Sequence, residues 1–147
     1  MISRTVLIAT EHFGQGLSAE RAGAAIGRGV RAADPTLEVD VCPLEPAAGE
    51  DAREPRERLE ARDFDTRMRA ARAVVVGTGR LDERTLLGSA VFEIATRARQ
   101  AGVPAYAVAG ENALSLFDAR ILDLQVVVEA NNPRALRRAG ERLAGLV

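Results

Sequence analysis

The stretch Ala73-Val74-Val75-Val76-Gly77-Thr78-Gly79-Arg80-Leu81-Asp82 decides the fold. Four apolar residues, three of them β-branched, run without interruption into a glycine-rich polar segment. A short continuous apolar run of this kind marks a strand buried on both faces, as in a parallel sheet covered by helices. The strand is expected over Ala73–Gly77, with a loop from Thr78 to Gly88. A helix is expected from about Ser89 to Ala101, ended by Gly102 at its C′ position and by Pro104.

Working outward, the same unit recurs. Thr5-Val6-Leu7-Ile8-Ala9 is a second buried run, followed by a polar loop from Thr10 to Leu17 and a helix to about Ala33, with Ser18 as N-cap. Asp34-Pro35 stops that helix. Leu37 to Cys42 alternates as a strand. A helical segment is expected from about Arg56 to Arg72, with Asp63 or Asp65 as an internal break. Ala105–Ala109 and Leu124–Glu129 supply further strands, with irregular chain and a short helical turn at Ser115–Ala119 between them. Pro133 opens a terminal helix reaching Leu146, capped by Asn131 or Asn132. Strands alternating with helices imply right-handed βαβ units. The expected fold is α/β, a doubly wound (flavodoxin- or Rossmann-like) parallel five-stranded sheet of order 2-1-3-4-5 with helices on both faces.

In that order the chain reverses direction across the sheet between strands 1 and 3. Ligands bind at such switch points, outside the carboxyl ends of the strands. Two loops lie there, Thr10–Ser18 and Gly77–Gly88. In the second, Gly77 and Gly79 can turn backbone N–H groups toward an anion, Arg80 can hold it with a planar fork, and Asp82 can orient a hydroxyl or a metal-bound water. The rival reading is a plain turn in which Arg80 and Asp82 pair with each other. The first loop carries Glu11, His12 and Phe13. His12, the only histidine, beside Glu11 raises general-base chemistry; exposed polar residues are the alternative. Asp82, Glu11 and His12 are thus the catalytic candidates.

Composition narrows the classes. The chain has 147 residues, a net charge of −1 from 20 basic and 21 acidic side chains, and no lysine. That balance leaves no electrostatic footprint for nucleic acid, and without an ammonium there is no Schiff-base chemistry or lysine phosphate clamp. One histidine and one cysteine cannot build a structural zinc site, so no metal ligands are expected. Cys42, in an apolar alternating run, is expected to be a buried thiol. No apolar run reaches membrane-spanning length and no signal-peptide pattern is present, so a cytoplasmic protein without membrane contact is expected. Arginines between Arg53 and Arg72 alternate with acids, as on a solvated helix face.

The two loops also carry a resemblance. Ile8-Ala9-Thr10-Glu11-His12-Phe13-Gly14-Gln15-Gly16-Leu17-Ser18-Ala19 is similar to a bacterial glycerate 2-kinase stretch of the form I-A-P-D-S-F-K-G-S-L-S-A. Val76-Gly77-Thr78-Gly79-Arg80-Leu81-Asp82-Glu83-Arg84-Thr85 resembles the family's T-G-E-G-R-L-D-A-Q-T, and Ala101-Gly102-Val103-Pro104 follows its A-G-V-P. The resemblance implies a glycerate-kinase-like α/β domain over 1–147. In that family a second domain is inserted between two halves of the first; here 47–62 is expected as a linker in its place. It also implies ligand contacts from Gly77, Thr78, Gly79, Arg80, Asp82, Thr85 and Phe13.

The departures point the other way. Gly14 and Ser89 stand where the family has lysines, Thr78 where it has an acid, and the D-G-G-E motif is missing. Phosphoryl transfer depends on positioning and on cations stabilising charge. The expectation is therefore a degenerate, non-catalytic homologue that binds a small anionic ligand (glycerate-like or phosphate) or a protein partner at the loops after strands 1 and 3. One alternative is an active phosphotransferase using ATP, Mg²⁺ and glycerate, completed by an oligomer mate or partner chain. Another is a purely structural module, for which a homodimer is the expected assembly.

Overall fold

The computed structural model describes residues 3–14, 16–45 and 54–147. Five strands form one sheet: β1 (Thr5–Thr10), β2 (Glu38–Pro43), β3 (Ala73–Leu81), β4 (Ala105–Asn112) and β5 (Leu124–Glu129). Their order is β2-β1-β3-β4-β5 and every pairing is parallel. Among the described residues the helices are α1 (Ala19–Ala33), α2 (Pro55–Ala61), α3 (Phe64–Arg69), α4 (Ala90–Ala101) and α5 (Leu116–Leu122) between strands, and α6 (Pro133–Ala144) after the last. This is the doubly wound α/β fold expected from the alternation of apolar runs and capped helices.

The period-2 geometry of the strands sorts the core into two layers. Leu7, Ala9, Val74 and Val76 face one way and pack with Leu59, Phe64, Met68 and Ile94 from α2, α3 and α4. Val6, Ile8, Val75 and Val108 face the other way and pack with Ile26 and Val30 of α1 and Leu136 and Leu143 of α6. Helix α1 meets α6 at backbone distance: a Cβ on Gly140 would lie 2.1 Å from the carbonyl oxygen of Ile26. The low helix propensity of glycine is accepted there because nothing larger fits.

Local signals place the helix ends. Ser18 accepts from the Arg21 N–H, Ser89 from Phe92 and Asn132 from Ala135. Gly102 closes α4 at φ +71°. The helical segment expected over Arg56–Arg72 is two helices, because Asp63 adopts a left-handed conformation at φ 53° between them. The turn expected at Ser115–Ala119 is the full helix α5, capped by Ser115. Of the expected linker 47–62, residues 47–53 lie outside the described residues, and Pro55–Ala61 is helical.

One difference bears on function. The segment expected as the loop Thr78–Gly88 is strand as far as Leu81 and then a 3₁₀ turn at Glu83–Leu86. β4 likewise runs to Asn112 rather than Ala109. The two extensions hold each other, with Thr78 opposite Ala109, Arg80 opposite Glu111 and Leu81 opposite Asn112. Glycine disfavours strand in isolation, but cross-strand pairing overrides that preference. Here the glycines permit the pairing: a Cβ on Gly110 would stand 2.6 Å from the Gly79 carbonyl oxygen.

Candidate functional site

The carboxyl ends of β1, β2 and β3 converge where the topology places a ligand site. β1 ends at Thr10, whose buried hydroxyl donates to the Ala19 carbonyl at 2.6 Å and so ties the strand to the start of α1. The chain then turns over the end of β3, and the Glu11 N–H donates to the Gly77 carbonyl at 2.8 Å. The Phe13 ring covers Gly77, where a Cβ would lie 3.2 Å from Cε1, and its backbone covers Gly79 at 3.3 Å. The two glycines that suggest an anion cradle are thus closely covered by the protein's own first loop. Phe13, expected at a ligand, packs at the edge of the core beside α1 and α6.

Arg80, Asp82 and Thr85 come together, but with each other. Arg80 Nε donates to Asp82 Oδ2 at 3.0 Å, and its Nη1 pairs with Glu111 across the ladder at 2.5 Å. Asp82 Oδ1 accepts from the Arg84 N–H, while the Asp82 N–H donates to Thr85 Oγ1, a capping box on the 3₁₀ turn. The hydrogen bond from Arg80 holds the Asp82 carboxyl below its ordinary value, with the Arg84 N–H and charge adding to it. Glu111 first and Asp82 second push the Arg80 guanidinium up. Arg80 and Asp82 thus pair with each other, at the end of β3 and not within a plain turn.

Open space lies on the other flank. Glu11, His12, Glu45, Arg58 and Thr78 line a cavity of about 240 Å³. The Thr78 hydroxyl, almost buried, donates to Glu11 Oε1 at 3.2 Å. Arg58 Nη2 stands 4.0 Å from Glu11 Oε2, and its Nη1 donates to the Leu44 carbonyl. Arg58 Nε is buried and, among the described residues, has no hydrogen-bond partner. Glu45 Oε1 accepts from the Ala19 N–H at 2.7 Å, so its carboxylate sits at the positive end of α1. His12 Nδ1 accepts from the Gly14 N–H at 2.9 Å, which leaves Nε2 as the protonated nitrogen when the ring is neutral. The arrangement brings one guanidinium, two carboxylates, an imidazole and a hydroxyl around a space suited to a ligand of a few heavy atoms.

Glu45 and Arg58 were not among the residues singled out from sequence. Arg58 belongs to a run of alternating charges, the pattern of a solvated face, yet α2 folds back so that Arg58 and Arg62 donate to the chain at Pro43, Leu44 and Glu45. The signal that could have found Glu45 is positional: it lies two residues past the end of β2 and so stands at the carboxyl edge. Cys42, three residues earlier on β2, is 1 % exposed, and burial raises its thiol pKa.

Mg²⁺ and ATP, which the family resemblance implies, can be tested against these residues. The Asp82 carboxylate is taken by Arg80 and the Arg84 amide, and Glu11 by Thr78 with Arg58 nearby. Among the described residues no group of three or more His, Cys, Asp or Glu could hold a metal ion. The cavity places two carboxylates against one guanidinium, and the chain has no lysine. These residues do not fit a magnesium-bound nucleotide.

A parallel five-stranded sheet of order 2-1-3-4-5, covered by helices, defines the class as doubly wound α/β, with a polar cavity beside its switch point. The chain belongs to the glycerate kinase family, whose model matches residues 58–145. That match contains the Gly77–Thr85 string and begins inside the segment expected as a linker; Ile8–Ala19, the first part of the resemblance, lies outside it. No curated protein matches the chain. Among solved structures, an oxidoreductase from Corynebacterium diphtheriae is similar at 12% identity and a TM-score of 0.50, over 100% of this chain and 98% of that one. At that identity the likeness concerns the fold alone. Among the described residues no helix is long and apolar enough to cross a membrane.

Proposed function

We propose that this glycerate-kinase-family domain binds a small hydroxy acid in the cavity between Glu11, Glu45 and Arg58 and does not transfer phosphate. The observation that carries the reading is Arg58. Arg58 lines the cavity, and its Nη2 stands 4.0 Å from Glu11, longer than a tight ion pair. A ligand carboxylate in the cavity can take up that guanidinium edge in a charge-assisted hydrogen bond. Glu11, Glu45 and Thr78 accept or share hydrogen bonds with hydroxyls on the same ligand. Glycerate has that combination of one carboxylate and vicinal hydroxyls. A polyphosphate does not, because two carboxylates oppose its charge. In this reading residues 47–62 stand in place of the family's inserted domain, so one wall of a two-domain cleft is missing.

Calorimetric titration of the purified chain with glycerate, phosphoglycerate and adenine nucleotides tests it, alongside a coupled assay for ADP formation. Glycerate or a related hydroxy acid should bind, Arg58→Leu should abolish the heat, and no ADP should form. Binding that survives Arg58→Leu but disappears in Arg80→Ala would return the ligand to the β3 flank and overturn the assignment. The Gly77–Thr85 string inside the matched residues favours a second reading, phosphotransfer completed by an oligomer mate or partner chain. ADP formation that Asp82→Asn abolishes would establish that reading instead.

A further inference from the structure

Helix α5 follows the end of β4 and is held from beneath: Leu122 is buried, and Arg99 of α4 donates to the Ile121 carbonyl at 3.1 Å. Its other face is bare. Leu116 is 85 % exposed, Phe117 72 % and Ile121 40 %, and Arg120 is exposed beside them. The spacing 116, 117, 120, 121 puts these four side chains on one helical face. Leu87, 81 % exposed, ends the 3₁₀ turn against which α5 packs. Large apolar side chains grouped in this way mark an interaction surface.

The order of the residues makes this face complementary to a second copy of itself. Along the exposed face the chain presents an aliphatic, an aromatic, a cation and an aliphatic side chain: Leu116, Phe117, Arg120 and Ile121. A two-fold axis crossing this face reverses the helix direction. It sets Leu116 against the partner's Ile121 and Phe117 against the partner's Arg120, and each contact occurs twice. An arginine over a phenylalanine ring is a favourable cation–π pair, and an aliphatic pair buries apolar area. The cation of one copy meets a ring rather than another cation. We propose that this face is a homodimer interface in which α5 packs antiparallel on α5 of a second copy. Two helices of this length give a contact at the small end of the specific range, below about 1,200 Å², so the dimer is concentration-dependent.

Sedimentation of the whole chain from roughly 1 µM to 1 mM covers the relevant affinities. The wild type should pass from the mass of one 147-residue chain to twice that mass. L116D and I121R should each stay monomeric with unchanged thermal melting, because both positions are exposed. An equimolar mixture of the two variants should regain the doubled mass, since a heterodimer sets the new carboxylate against the new guanidinium and keeps one Leu–Ile pair. Phe117→Leu should weaken association by roughly tenfold through loss of the two ring contacts. A wild type that stays monomeric throughout overturns the proposal and assigns the face to a different partner. A dimer that survives L116D overturns it by placing the interface elsewhere, and a mixture that stays monomeric while the wild type dimerises overturns the antiparallel register.

Discussion

The two flanks of the sheet's carboxyl edge handle their charges in opposite ways. On the β3–β4 flank, Arg80 has both Asp82 and Glu111, Asp82 also has the Arg84 amide, and Thr85 closes the turn. On the β1–β2 flank, Glu11 and Arg58 stand 4.0 Å apart beside a cavity, and Arg58 Nε is buried without a partner among the described residues. The flank with the Gly77–Thr85 string is satisfied by its own residues. The flank that carries Glu11 and His12 leaves its guanidinium and carboxylate without a tight pair.

The largest effect should come from the place where the two flanks touch. A side chain on Gly77 would put its Cβ 2.7 Å from Thr10 Cγ2 and 3.2 Å from the Phe13 ring. Gly77→Val should lower stability by about 1–3 kcal/mol through overpacking, read as a fall in the denaturation midpoint. If Gly77 instead faced an open ligand cradle, the same variant would lose binding and keep its stability.

Next in size is Arg58→Leu, which removes the donor to the Leu44 carbonyl and the cation facing Glu11. The unfolding free energy should fall by about 1–2 kcal/mol, and the rise in melting temperature given by a bound hydroxy acid should disappear. Asp82→Asn should do the reverse: a small loss of melting temperature from the weakened Arg80 pair, with the hydroxy-acid shift intact. A measurement in which both variants lose the ligand shift would erase the distinction between the flanks.

How much of this was legible in the sequence differs between fold and site. The sheet order followed from the buried apolar runs Val6–Ala9 and Val74–Val76 together with the cap at Ser18, the Gly102–Pro104 stop and a cap at Asn131 or Asn132, because these signals are local and agree with one another. The end of β3 was not legible. Thr78, Gly79 and Arg80 look like loop residues, and only the pairing with β4, more than 30 residues away, shows that they are strand. The site was half legible for the same reason. Glu11, His12 and Thr78 sit beside strand ends that the topology identifies, and they line the cavity. Arg58 reaches it only because Asp63 breaks the helical segment and α2 packs back on the end of β2 through Arg58 and Arg62. Charge alternation along a helix cannot show such a return.

The smallest effect tests the satisfied flank alone. The hydrogen bond from Arg80 holds the folded Asp82 carboxyl below its ordinary value of 3.8. A carboxyl depressed by folding contributes stability above its unfolded pKa, and loses it as the pH falls through the lower, folded value. The difference in melting temperature between wild type and Asp82→Asn should therefore be constant from neutral pH down to about pH 5, then shrink and vanish in stronger acid. Because the pair faces solvent, 0.5 M salt should also reduce it. A difference that persisted unchanged through the acid range would mean that Asp82 acts through a carboxyl cap that asparagine does not reproduce, and not through its charge. Arg80 would then keep Glu111 as its one effective charged partner.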